Sequence, residues 1–211
     1  MMPGNNKINY QLKLDETLKM LEESGQVPTL LLHACCAPCS SYVLEYLSKY
    51  FDITVYFYNP NIYPDSEYEH RAAEIESFVN RFPAGRPVSL IVSDHLTQRF
   101  YDVVKGYEDL GEGSERCYKC YEMRLSDTAR IAAEKGFDYF TTTLSISPMK
   151  NAAWLNEIGE KLSTEYGVPY LYSDFKKRNG FKRSTELSAE YGMYRQDYCG
   201  CVYSYNSRKS I

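Results

Sequence analysis

Seven cysteines fall in three tight groups along this chain of 211 residues. The first is in His33-Ala34-Cys35-Cys36-Ala37-Pro38-Cys39-Ser40-Ser41, directly after the apolar run Leu30-Leu31-Leu32. The second is Cys117-Tyr118-Lys119-Cys120 and the third Cys199-Gly200-Cys201. A thiolate is a nucleophile, a redox group and a soft metal ligand. At a helix start, positions i and i+3 share a face, so Cys117 and Cys120 can reach one ion or cluster. With Cys35 and Cys36 they offer four sulfurs, which suits tetrahedral zinc or an iron–sulfur cluster. Adjacent cysteines are unusual in zinc knuckles, which favour spaced pairs, so the pattern as a whole favours a redox cluster.

Cys199-Gly200-Cys201 reads differently. A disulfide across one intervening residue closes a very small ring, and strained disulfides are the labile, catalytic ones. The pair could also supply further metal ligands or remain as free thiols. His33 ends an apolar strand and reads as a buried, hydrogen-bonded histidine beside the cysteines. Thr141-Thr142-Thr143 and Ser145-Ile146-Ser147 follow another strand and are expected to line a pocket. Lys176, Lys177, Arg178, Lys182 and Arg183 flank Asn179-Gly180. They form either a solvated face or the local basic patch that an RNA partner needs. The 21 tyrosines are read first as amphipathic surface packing and second as stacking platforms for bases.

Hydrophobic patterning gives the elements that position these groups. Strands are expected at Thr29–His33, Ile53–Tyr58, Val88–Val92, Tyr139–Thr142 and Pro169–Tyr172. Helices are expected at Gln11–Ser24, Ser40–Tyr50, Asp65–Arg81, Leu96–Lys105, Arg116–Lys135, Asn151–Tyr166 and Thr185–Tyr191. Strands alternating with helices of this length make βαβ units. The expected fold is therefore an α/β, doubly wound, mostly parallel five-stranded sheet with helices on both faces. Residues 1–10 read as a flexible N-terminal arm, and 11–211 as a single α/β catalytic domain with a cysteine-containing C-terminal tail.

The first cysteines then sit at the carboxyl end of a strand, where open parallel sheets bind their ligands. A helix N-terminus faces them and favours the thiolate. The odd cysteine count and the clustering argue against a secreted disulfide framework. No run approaches a membrane span, and Met1-Met2-Pro3-Gly4-Asn5-Asn6-Lys7 has no apolar signal core, so a cytoplasmic enzyme is expected. The net charge of −4 means that any RNA contact must be local.

The motif set resembles that of the QueH-type, cobalamin-independent epoxyqueuosine reductases. The resemblance is carried by His33-Ala34-Cys35-Cys36-Ala37-Pro38-Cys39-Ser40, Tyr58-Asn59-Pro60-Asn61-Ile62 and Arg116-Cys117-Tyr118-Lys119-Cys120-Tyr121. It is carried equally by Thr141-Thr142-Thr143-Leu144-Ser145-Ile146-Ser147-Pro148 and Tyr194-Arg195-Gln196-Asp197-Tyr198-Cys199-Gly200-Cys201. It covers about residues 9–204 and implies a sheet like that of the adenine-nucleotide alpha-hydrolase-like (HUP) fold. It implies reductive deoxygenation of epoxyqueuosine at the tRNA wobble position, the last step of queuosine synthesis. It further implies a [4Fe-4S] cluster on Cys35, Cys36, Cys117 and Cys120, an adjacent mononuclear iron, and a redox-active Cys199–Cys201 pair. Cys39, left over from the cluster set, becomes the candidate ligand of the second iron.

Epoxide removal to an alkene takes two electrons and two protons, so an external electron donor is required. The basic segment Lys176, Lys177, Arg178, Lys182 and Arg183, with Tyr194 and Tyr198, is the candidate surface for tRNA. The competing class is a zinc-stabilised, non-redox tRNA-binding module. A third reading keeps the cluster but has it activate sulfur for tRNA thiolation.

Overall fold

The apolar pentapeptide at Thr29–His33 forms β1, and the rest of the molecule is layered around it. In this computed structural model, which describes residues 8–209, Leu30 and Leu32 point to one side of the sheet and Leu31 to the other. That is the alternation a pleated strand imposes. Four parallel strands make the sheet: β1, β2 (Asp52–Phe57), β3 (Val88–Val92) and β4 (Tyr139–Thr142), in the order β3-β2-β1-β4. The face with Leu30 and Leu32 is covered by α1 (Tyr10–Ser24), α2 (Ala37–Leu47) and α3 (Asp65–Arg81). The face with Leu31 is covered by α5 (Glu115–Lys135) and α6 (Ala152–Tyr166), with the short α4 (Thr97–Val104) packed on α5. Each leucine fully removed from water stabilises this sandwich by roughly 1.5–3 kcal/mol. The chain winds outward from β1 to β3 and then returns to β4 on the other side of β1. A crevice therefore opens beyond the carboxyl ends of β1 and β4, at the reversal of strand order.

The expected fifth strand is reduced to a single bridge between Phe140 and Tyr170. Side chains take over the backbone pairing on either side of it. Thr141 Oγ1 donates to the Leu171 carbonyl at 2.8 Å. Asn156 pairs with Ser173 through Nδ2 to its carbonyl at 2.8 Å and Oδ1 from its amide at 2.9 Å. With its polar groups satisfied this way, residues 169–172 need not extend the ladder.

Three boundaries shift in ways that matter for the site. α2 begins at Ala37, three positions before Ser40, because Pro38 is accommodated in its first turn. Cys36 thereby becomes the N-cap and Cys39 lies in the first turn. α7 (Gly180–Glu190) begins at Gly180, where a side chain is impossible: a Cβ would lie 1.9 Å from the Phe175 carbonyl oxygen. The cysteine-bearing tail continues into α8 (Val202–Lys209). Of the expected N-terminal arm, residues 1–7 lie outside the described residues, and Tyr10 already belongs to α1.

Candidate active site

The turn after β1 brings Cys35, Cys36 and Cys39 together, with their three sulfurs within 4.8 Å of one another. Cys35 and Cys36 are 3.8 Å apart. Hydrogen bonds from the Cys36 and Cys39 thiols hold Cys35 well below the usual thiol range, despite burial. The same coupling pushes Cys36 up to about 12 and raises Cys39. Three thiols thus share one readily formed negative charge. Soft sulfur donors in a dry turn at a helix N-terminus fit a thiophilic metal group.

His33 behaves as the sequence suggested. It is fully buried, Nδ1 lies 2.8 Å from Thr142 Oγ1, and Nε2 lies 3.1 Å from the Tyr58 carbonyl oxygen. A carbonyl only accepts, so Nε2 carries the proton and Nδ1 accepts from Thr142. Burial lowers the pKa to about 3, so the ring is neutral. It ties the end of β1 to the end of β4 directly beneath the cysteine turn.

The first turns of α5 carry Cys117, Cys120 and, one turn further, Arg124. Spacings of three and four residues place all three on one face. Cys117 packs in the same cluster as Cys35 and Cys36, whereas Cys120 packs with Cys201. Burial pushes the Cys120 thiol up. Cys117 and Cys120 do not join the group within 4.8 Å formed by Cys35, Cys36 and Cys39. A multi-iron cluster spans more space than one ion, so its ligands need not converge that tightly.

The tail returns the third group to the same place. The Tyr63 amide donates to the Gly200 carbonyl at 2.8 Å, and the Tyr198 hydroxyl donates to the Tyr63 carbonyl at 2.5 Å. Gly200 has φ +118, a conformation that L side chains rarely adopt, and a Cβ there would also crowd Arg71 Nη1 at 3.3 Å. Gln196 Nε2 approaches Cys36 Sγ at 3.1 Å, joining tail and turn. Cys199 Sγ lies 2.6 Å from the buried Lys150 Nζ. A hydrogen bond from Cys201 and then the Lys150 ammonium hold Cys199 far below the usual thiol range, and Cys201 is raised in turn.

These groups border a cleft of about 490 Å³. Cys35, Cys39 and Cys199 reach its wall, as do Arg124, Lys150, Ser147 and Tyr198. The proposed tRNA surface is only partly assembled there. Lys176 pairs with Asp174 at 2.7 Å, Arg178 with Asp15, Lys182 with Glu186 at 3.9 Å, and Arg183 with Glu45 at 2.6 Å. Tyr198 lines the cleft. Tyr194 instead stacks on His70 at 4.6 Å, and its amide donates to Glu74 at 2.5 Å.

Lys150 and Arg124 escaped the sequence reading. Arg124 follows Cys117 by seven positions, a same-face spacing that could have revealed it. Lys150 carries no such signal, because only the fold places it 49 residues before its cysteine partner.

Thiols from three chain segments are gathered with buried cations at the switch point of a parallel α/β sheet, and three of them, Cys35, Cys36 and Cys39, are close enough to hold a metal. A family model described as "Epoxyqueuosine reductase QueH" matches residues 30–207. Among curated proteins named epoxyqueuosine reductase QueH, that of Streptococcus pyogenes serotype M1 is 46% identical over 205 residues, covering 96% of this chain and 80% of the relative. The Staphylococcus epidermidis protein is 46% identical over 204 residues, covering 95% and 86%. The Thermotoga maritima protein is 39% identical over 181 residues, covering 86% and 92%. The chain belongs to the epoxyqueuosine reductase QueH family and is an oxidoreductase.

Proposed function

We propose that the protein removes the epoxide oxygen of epoxyqueuosine at the wobble position of tRNA, completing queuosine synthesis. The observation that carries this reading is the convergence of Cys35, Cys39 and Cys199 on one cleft from separate parts of the chain. Family membership supports the substrate. In this reading Cys35, Cys36, Cys117 and Cys120 hold a [4Fe-4S] cluster, and Cys39 is a ligand of an adjacent iron. The strand order is compatible with the HUP-like sheet expected from the sequence resemblance.

When bound, the metal group supplies single electrons and a Lewis acid for the epoxide oxygen. The chain supplies the rest. Oxidation of the Cys199–Cys201 dithiol to a disulfide releases two electrons and two protons, which balance conversion of the epoxide to an alkene and water. Lys150 holds Cys199 as thiolate and keeps a proton beside it. An external reductant must then regenerate the dithiol. Tyr198 and the exposed Lys182 of the basic segment receive the anticodon loop, the segment's other ion-paired cations, Arg183 among them, acting mainly in the fold. No helix among the described residues is long and apolar enough to cross a membrane, and the cytoplasm is the proposed compartment.

Metal analysis and visible absorption of anaerobically purified protein test the cofactor assignment. Brown protein with iron and inorganic sulfide is expected, and Cys117→Ala or Cys120→Ala should lose both metal and activity while the helical circular dichroism persists. Colourless protein holding zinc would instead favour a structural site. Full iron content and turnover in either variant would remove that cysteine from the ligand set.

A further inference from the structure

Among the described residues two arginines, Arg71 and Arg124, are fully buried, and they differ in what compensates them. Arg71 is met by Glu67, with Nε and Nη2 each 2.7 Å from the same carboxylate oxygen. Arg124 has no carboxylate partner among the described residues. Its Nη1 donates to Asn59 Oδ1 at 3.3 Å, a long bond to a neutral group. Its Nε and Nη2 are buried with no acceptor. Asp127, one turn further along α5, is occupied elsewhere: Tyr56 donates to it at 2.6 Å, Arg130 at 3.0 Å and Arg99 at 3.1 Å.

A buried cation with unmet donors is strongly unfavourable unless an anion completes it. The surroundings of Arg124 name the anion. It sits one turn beyond Cys120 on the same face of α5 and borders the cleft with Cys35 and Cys199. Thiolates ligating an iron–sulfur core leave the group net negative, with sulfur atoms as acceptors.

We propose that Arg124 is the counter-ion of the iron–sulfur group held by the cysteines, donating Nε–H and Nη2–H to its sulfur atoms and so raising its reduction potential. This rests on the cofactor assignment above. Hydrogen bonds to sulfur and net charge are among the levers that set such potentials. A positive charge and two donors stabilise the more negative, reduced form, so removing them lowers the potential. Arg124 is in this sense a positioning and tuning residue rather than one that touches substrate.

The test is a potentiometric titration, followed by electron paramagnetic resonance, of anaerobic iron-replete protein without tRNA. Unaltered protein is compared with Arg124→Met and Arg124→Lys, with iron and sulfide quantified in each. Arg124→Met is expected to shift the reduced-to-oxidised ratio at fixed potential by at least tenfold toward oxidised, about 59 mV for one electron. Arg124→Lys keeps the charge and loses the fork, so it falls between. If Arg124→Met cannot hold the cluster, the lysine variant decides: a lowered midpoint supports the proposal and an unchanged one overturns it. An unchanged midpoint in Arg124→Met with full iron overturns it. Absence of any cluster signal in unaltered protein overturns the cofactor assignment, and this proposal with it.

Discussion

Lys150 Nζ lies 2.6 Å from Cys199 Sγ, with the lysine buried and Glu112 3.7 Å away as its second partner. An ammonium at this distance favours thiolate over thiol, so of the two tail cysteines Cys199 is expected to be the more reactive. Lys150→Met should slow alkylation of Cys199 by iodoacetamide roughly tenfold or more near pH 7, with Lys150→Arg keeping much of the rate. Peptide mapping reads the site of alkylation. An unchanged rate in Lys150→Met would show that Cys201 alone sets the Cys199 thiolate.

Cys201 is the expected resolving partner. Cys201→Ser protein with normal iron content should complete a single turnover when its metal group is fully reduced beforehand and fail at repeated turnover. Normal repeated turnover would exclude a thiol relay. Loss of iron from this variant would make Cys201 a ligand instead.

His33 gives stability a pH dependence whose sign is fixed by burial. Its folded pKa is about 3 against an ordinary 6.5, so between those values the unfolded chain binds a proton that the folded chain does not. Stability from this residue is present above about pH 6.5 and is lost as pH falls toward 3, with an upper bound on the order of 5 kcal/mol. Urea midpoints should therefore rise from pH 4.5 to 7, and His33→Gln should flatten that slope. Equal slopes for the two proteins would mean that the histidine is not buried neutral.

Much of this architecture could be read from the sequence because it depends on local patterning. The alternation of Leu30, Leu31 and Leu32 sets β1, and Gly136, in the left-handed conformation, ends α5 where expected. The three cysteine groups and the strand-end position of the first are legible in spacing and in the switch point of a parallel sheet, whereas a shared role for all three was implied only by the family resemblance. What escaped depends on tertiary partners. Residues 169–172 have strand composition, but Thr141 and Asn156 side chains take the hydrogen bonds that a strand would use. The basic run looks like a nucleic-acid patch until the fold places Asp15, Glu45 and Asp174 against it.

That pairing sharpens the expectation for tRNA. Arg183 is bidentate to Glu45, with bonds of 2.6 and 3.0 Å, and joins α7 to α2. Arg183→Gln should therefore act mainly on stability, by no more than about 1 kcal/mol for a half-exposed pair. Lys182, 77% exposed on its side chain, is freer to meet phosphate. Lys182→Gln is expected to weaken tRNA binding and lower the slope of log affinity against log salt by about one. An unchanged slope would take this residue out of the interface.

The central claim is reductive deoxygenation, and nucleoside mass spectrometry tests it most directly. Anaerobic, iron-replete protein with a low-potential reductant is incubated with tRNA bearing epoxyqueuosine, and the digested nucleosides are weighed before and after. The account predicts loss of one oxygen from the modified nucleoside, with repeated turnover that depends on Cys199 and Cys201. An unchanged nucleoside from fully iron-loaded protein, or one that has gained sulfur, would contradict it.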